Sequence, residues 1–290
     1  MKYTDELLGL RTLSEGLEDS IKARVAAYNR ADRGTVGNTV LAASIKDIAD
    51  ITEAKYRELL REEYERVTPK VVQDWVAQIP GLASGALFPR LLGMTGNPRV
   101  ATPYHWEVVD DKRVLVADLP YIRGSNKAPN PAYAEDSGYE YGLRSFWRYC
   151  GCGDPDDKPK KDATQADVLR GGKRTKVRPV LHTFSSYLVR NRKRSEGIAS
   201  SKYLATYDQA RETANDKFHV VQCQNSHRPP LGPNGCGTVA HPEWGEPGSR
   251  WRPGHCAAHA HRMVAKELLR DLYAIWPQPN PADFEDAADE

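Results

Sequence analysis

The sequence predicts a mainly α protein made of a helical arm, a helix-hairpin-helix core, a small β-containing insertion and a Cys/His-rich insertion. Three observations predict it. Two long N-terminal segments repeat apolar residues at the 3.6-residue period of a helix. The corner Ile79-Pro80-Gly81 joins two further helical segments through small residues. Helical periods then recur to the C-terminus, broken by short alternating runs and by a Gly/Pro-rich stretch holding cysteines and histidines. The boundaries implied are an arm over 1–68, a core over 69–276 with the Cys/His insertion at 219–259, and an acidic tail over 277–290.

The first helix is expected over 5–30, with Leu10, Leu13, Leu17 and Ile21 on one face, and the second over 39–67, with Leu41, Ile45, Ile48 and Ile51. The polar run 31–38 separates them, so the pair reads either as an antiparallel, coiled-coil-like hairpin suited to self-association or partner binding, or equally as part of a plain packed bundle. Val71, Val72, Trp75, Val76 and Ile79 give the next helix its buried face. Val108-Val109 and Val114-Leu115-Val116 mark strands, and 123–131 reads as a loop. A short helix carries Leu143, Phe146, Trp147 and Tyr149. Helices follow over 179–194, with Val180, Leu181, Phe184, Tyr187 and Leu188 inward, over 201–215, and over 256–275, with Val264, Leu268, Leu272 and Ile275 on one face. The Asp/Ala/Pro-rich tail is expected to be disordered.

Hydrophobic residues make up 40% and charged residues 28%, an ordinary globular balance. No apolar run reaches the roughly 18 residues of a membrane span, and the N-terminus shows no signal-peptide pattern. The expected setting is cytoplasmic and nucleoid-associated, with the five cysteines as thiols or metal ligands.

The net charge of +2 matters less than its distribution. Basic residues gather at Arg170, Lys173, Arg174, Lys176 and Arg178, and again at Arg190, Arg192, Lys193 and Arg194. Acidic ones gather at Asp154, Asp156 and Asp157 and in the tail. Separated signs of this kind are the footprint of a nucleic-acid surface, against the plainer alternative of solvated basic loops. The corner supports the same reading. A helix start after Pro80, Gly81, Ser84 and Gly85, with Arg90 in its first turns, offers unpaired backbone N–H groups and a helix dipole to a phosphate. A mere structural corner is the alternative.

In order along the chain come Ile79-Pro80-Gly81 and Gly96-Asn97-Pro98, then Phe146-Trp147-Arg148-Tyr149-Cys150-Gly151 with Pro155, then Gly171-Gly172-Lys173-Arg174-Thr175-Lys176-Val177-Arg178, and the terminal run from Met263 to Tyr273. In that order these parts resemble the C-terminal domain of the DEDD transposases, RNA-guided insertion-sequence recombinases with a serine nucleophile. The resemblance implies a DNA-binding role. Two departures accompany it. Only the helical arm precedes the hairpin, where the family carries a four-carboxylate metal-dependent nuclease domain. Arg170 stands where the family's serine precedes the glycine loop, and Ser185 and Thr164 are the weak substitutes. The comparison therefore implies a non-cutting relative.

Cys223, Cys236, Cys256 and His259 are spaced C-x12-C-x19-C-x2-H across a segment with little to bury. Three thiolates and an imidazole would suit a structural, tetrahedral Zn2+ that staples such a segment, whereas lone cysteines are otherwise small buried residues. The functional expectation is a DNA-binding protein, with RNA as a possible partner. It grips phosphates through Pro80, Gly81, Ser84, Gly85, Arg90, Gly171, Gly172, Lys173, Arg174, Lys176, Arg178, Arg190, Arg192, Lys193 and Arg194. The alternatives are a strand transferase completed by a nuclease domain on another chain, and a zinc-stapled protein-interaction module. Homo-oligomerisation through the arm is compatible with all three, and no membrane partner is expected.

Overall fold

The computed structural model describes residues 7–32, 39–79, 82, 85–101, 104–109, 112–117, 121–123, 138–153, 177–192, 201–220 and 241–280. The protein is mainly α. Among the described residues its α-helices are α1 (Leu8–Asp32), α2 (Thr39–Val67), α3 (Lys70–Ala77), α4 (Leu87–Thr95), α5 (Gly138–Tyr149), α6 (Val177–Arg190), α7 (Ser201–Asn215) and α8 (Pro253–Ile275). Two antiparallel strand pairs lie between α4 and α5. In one, β1 (Val100–Ala101) pairs with β4 (Tyr121–Ile122); in the other, β2 (Tyr104–Val109) pairs with β3 (Lys112–Ala117) in a register that sets Val109 against Lys112. The expected strands at 108–109 and 114–116 fall inside β2 and β3. Among the described residues no helix is long and apolar enough to cross a membrane.

The chain divides into two compact units. The first comprises Met1–Ala77, Gly81–Val180 and Leu272–Glu290, and the second comprises Gln78–Pro80 and Leu181–Asp271.

In the first unit α1 and α2 run antiparallel. Glycines on α1 let α2 come close: a Cβ on Gly9 would run into the Glu63 carboxylate, and one on Gly16 would run into the Tyr56 ring. Further along, Tyr28 donates to Asp50 at 3.2 Å. Leu10, Leu17 and Leu60 are fully buried between the helices. Glu53 is buried with them and accepts hydrogen bonds from Arg24 Nε at 2.5 Å and Arg57 Nη2 at 2.6 Å. Burial raises the Glu53 pKa, but the two guanidinium partners outweigh it and hold the carboxyl below its ordinary range.

The apolar residues of α2 depart from expectation. Ile48 and Ile51 are 65% and 70% exposed, and Val71 at the start of α3 is also exposed. The inward face of α2 is instead set by Glu53, Leu60 and Tyr64, because the arginine pairing of Glu53 makes a charged position compatible with burial.

Helix α4 is almost wholly buried, from Phe88 through Thr95 apart from Arg90. Phe88 meets Tyr64 edge-on at 5.9 Å and Trp75 at 5.8 Å, which ties α4 to α2 and α3. Its other side abuts α1, where a Cβ on Gly93 would lie 2.6 Å from the Leu10 carbonyl oxygen and would also run into Ser14 Oγ. Glycine is the residue that permits this backbone approach. The helix stops at Gly96, whose φ of 68° is left-handed and whose N–H returns to the Leu92 carbonyl. The expected helix ahead of the hairpin is α3, and the one after it is α4. Pro80, Gly81 and Ser84 lie outside the described residues.

A second packed region of this unit gathers around two buried arginines. Arg123 donates to the Val100 carbonyl at 3.2 Å and to Ser145 Oγ at 3.0 Å, and it lies over the Tyr149 ring at 5.0 Å. Arg99 stacks on Tyr273 at 3.9 Å. Helix α5 ends in the expected glycine turn, with Gly151 at φ 74°.

In the second unit α6 from Leu181 onward, α7, and α8 up to Asp271 pack through aromatic and polar contacts. Phe184 meets Tyr203 edge-on at 5.9 Å, and the buried Tyr203 hydroxyl donates to Asp271, which Lys202 also pairs at 2.5 Å. Val264 and Leu268 form the buried face of α8 as expected. Proline at its first position starts α8 earlier than the periodicity implies, since the missing N–H costs nothing there. A backbone clip fastens the loop before it: His219 N–H reaches Ser249 O at 2.9 Å, and Trp251 N–H reaches Lys217 O at 2.9 Å.

The two glycines on α1 and α4 make opposite predictions. Gly93→Ala drives a methyl into the Leu10 backbone and should cost about 1–3 kcal/mol, seen as a lower urea midpoint. Gly9→Ala meets only the movable end of Glu63, so its effect should stay within about 0.5 kcal/mol. Equal stability of the two variants would remove the α1–α4 backbone approach as a constraint.

Candidate functional site

Of the residues expected to contact nucleic acid, Gly85, Arg90, Arg178, Arg190 and Arg192 are described. The rest, namely Pro80, Gly81, Ser84, Gly171, Gly172, Lys173, Arg174, Lys176, Lys193 and Arg194, lie outside the described residues, as does Thr164. Two of the five are engaged inside the protein. Arg90 pairs with Glu18 at 2.7 Å, and Arg192 holds Asp208 in a fork at 2.6 and 2.7 Å. Gly85 has a φ of 111°, and among the described residues nothing lies within 4 Å of where a Cβ would stand.

Arg178 and Arg190 belong to α6 and are exposed. With His182 and Ser186 they form a row at four-residue spacing, about 6 Å per step along a helix. Among the described residues neither arginine has an ion pair. The opposite side of α6 is apolar, with Val180, Leu181, Phe184 and Leu188 buried. Tyr187, expected inward, is only half-buried.

Ser185 is 0% exposed, and its hydroxyl shares a 2.7 Å hydrogen bond with His261 Nδ1 of α8. Burial of this kind fits a hydroxyl that orients an imidazole better than a nucleophile open to a polymer. His261 also lies against the ring of the buried Tyr207, at 4.9 Å. Burial pushes its pKa down to about 4, helped by His182, Arg190 and Arg211, so the ring is neutral at neutral pH.

The other flank of α8 carries a second histidine group around Trp251. Its ring stacks flat on His255 at 4.1 Å and meets His259 edge-on at 5.5 Å. His219, 7% exposed, lies 5.1 Å from His255, and its Nε2 is buried with no hydrogen-bond partner among the described residues. Burial lowers His255 and His259 to about 4, with smaller contributions from nearby cations, and lowers His219 by desolvation.

Of the expected zinc ligands, Cys256 and His259 sit one turn apart on α8, and Cys223 and Cys236 lie outside the described residues. Cys256 is buried with its thiol directed at the Ala214 carbonyl, 3.4 Å away, and burial raises its pKa. His259 Nε2 lies 3.5 Å from Lys217 Nζ, and its Nδ1 lies 3.3 Å from Arg262. Among the described residues no three His, Cys, Asp or Glu side chains converge as a metal cage.

Sequence reasoning did not single out His182, Arg211, His219 or Trp251, and it noted His255 and His261 only as neighbours of the expected zinc ligands. The four-residue spacing of Arg178, His182, Ser186 and Arg190 was a readable signal. The approach of α7 and α8 to that row was not, because it joins residues far apart in the chain. Comparison with protein-family models, with curated proteins and with solved structures finds no match for this chain.

The depressed imidazoles predict acid sensitivity. His255, His259 and His261 titrate near 4 when folded against an ordinary 6.5, so the folded state binds fewer protons in between. Their contribution to stability is complete above the ordinary value and falls as pH drops through that window. Urea midpoints should therefore decline from about pH 6.5 toward 4. In Trp251→Ala, NMR titration should find His255 and His259 moved up and His261 unmoved; unshifted values would show that Trp251 does not provide the burial.

Proposed function

We propose that the chain is a nucleic-acid-binding protein that grips DNA backbone phosphates, is related to the C-terminal domain of the DEDD transposases, and does not itself cut strands. The observation that carries this reading is the solvent-facing row Arg178, His182, Ser186 and Arg190 on α6, bracketed in sequence by Gly171-Gly172-Lys173-Arg174-Thr175-Lys176 and by Lys193-Arg194. Both basic clusters thus adjoin one helix with a buried apolar back. Cations and hydroxyls at regular intervals suit a repeating phosphate chain, and they carry no base readout.

The hairpin contributes backbone N–H groups near Gly85 rather than the Arg90 side chain, which Glu18 already holds. DNA is favoured over RNA by the resemblance alone. A structural Zn2+ on Cys223, Cys236, Cys256 and His259 belongs to the same proposal, supported by their spacing and by the one-turn separation of the last two on α8.

A titration of labelled duplex DNA at two salt concentrations tests the reading. Affinity should fall steeply with salt. Replacing Lys173, Arg174 and Lys176 by alanine should weaken binding and lower the salt slope by about one for each phosphate no longer neutralised. Salt-independent or absent binding would favour a protein-interaction module instead.

A further inference from the structure

Where α6, α7 and α8 meet, imidazoles from two helices lie against each other. His182 of α6 and His261 of α8 have ring centroids 4.7 Å apart, tilted by 56°. Each has a serine of α6 as a partner. Ser185 lies 2.7 Å from His261 Nδ1, and Ser186 Oγ lies 3.3 Å from His182 Nδ1. The buried Tyr207 ring of α7 backs His261. His182, Arg190 and Arg211 are exposed, while Ser186 and His261 are half-buried, so the cluster opens to solvent.

The charges around this cluster are one-sided. Among the described residues, the charged or chargeable groups acting on His261 are His182 and Arg190 from α6 and Arg211 from α7, and no carboxylate is one of them. The nearby acid of α7, Asp208, is forked by Arg192 and is also within electrostatic reach of Arg211. Two guanidinium groups around a solvent-facing spot repel one another until an anion sits among them, and the two imidazoles add N–H donors. Their donors and the Ser186 hydroxyl match the oxygens of a tetrahedral phosphate.

We propose that His182, Ser186, Arg190, Arg211 and His261 form a phosphate-group site, for either a backbone phosphodiester or a free phosphate. Ser185 is the positioning residue that fixes the His261 ring. For its macromolecular ligand the site rests on the nucleic-acid reading above. Its own chemistry does not.

The test uses the full chain. Imidazole NMR signals are followed while inorganic phosphate is added, with chloride at equal ionic strength as the control. Duplex DNA affinity is then measured for the wild type and for the surface variants His182→Ala and Arg211→Ala. Phosphate should move the His182 and His261 signals, and the movement should vanish in Arg211→Ala. Each variant should bind DNA about tenfold more weakly, the size of one charge-assisted hydrogen bond.

Phosphate that moves neither signal, together with variants that bind DNA like the wild type, would overturn the site while leaving the nucleic-acid reading intact. Signals that respond to phosphate in a protein without DNA affinity would support the site for free phosphate and defeat the nucleic-acid reading.

Discussion

Half-burial of imidazoles along the two flanks of α8 is the constraint on which the second unit depends. A histidine kept from water loses its charge, and a neutral ring can stack on tryptophan, tyrosine or another histidine without facing a carboxylate. His255 and His259 lie against Trp251 on one flank in this way, and His261 lies against Tyr207 and His182 on the other. Between the flanks, Ala260, Val264 and Leu268 supply the buried face. The helix therefore positions two polar groups of different character with one packing surface. The Trp251 side holds the buried His219, and the His261 side adjoins exposed arginines.

The first unit is governed by backbone proximity. Gly9, Gly16 and Gly93 remove side chains where helices touch, and the freed space is filled by Glu63, Tyr56 and the Leu10 backbone respectively. Close helices then favour burial of Glu53, which two arginines make tolerable. The resulting frame accounts for the limited role of Arg90. Its pairing with Glu18 braces α4 against α1, so the cation that looked available for phosphate in sequence is occupied by the fold.

Long amphipathic segments were legible from sequence because a helix imposes its period over many turns. Helices α1, α2, α6, α7 and α8 fall close to their expected spans, and the alternating runs fall in β2 and β3. Which face turns inward was less legible. Ile48 and Ile51 share the periodicity of a buried stripe but are exposed, because the partner of α2 meets the face bearing Glu53 and Leu60. The same limit applied to the candidate site. The basic residues at 170–178 and 190–194 were visible as composition, while the engagement of Arg192 by Asp208 depended on α7 lying beside the end of α6.

By itself the sequence determined the mainly α class, the order of the described helices and the clustering of positive charge about α6. These are local properties, set by hydrophobic period, backbone chemistry and charge along neighbouring residues. Tertiary structure alone decided that His261 meets His182 across helices, that Ser185 is buried as its anchor, and that the charges of Arg190 and Arg211 act on it. The reason is physical. Proton affinity and anion recognition depend on burial and on the separation of charges through space; His261 becomes half-buried, and comes against His182, only when three helices pack together.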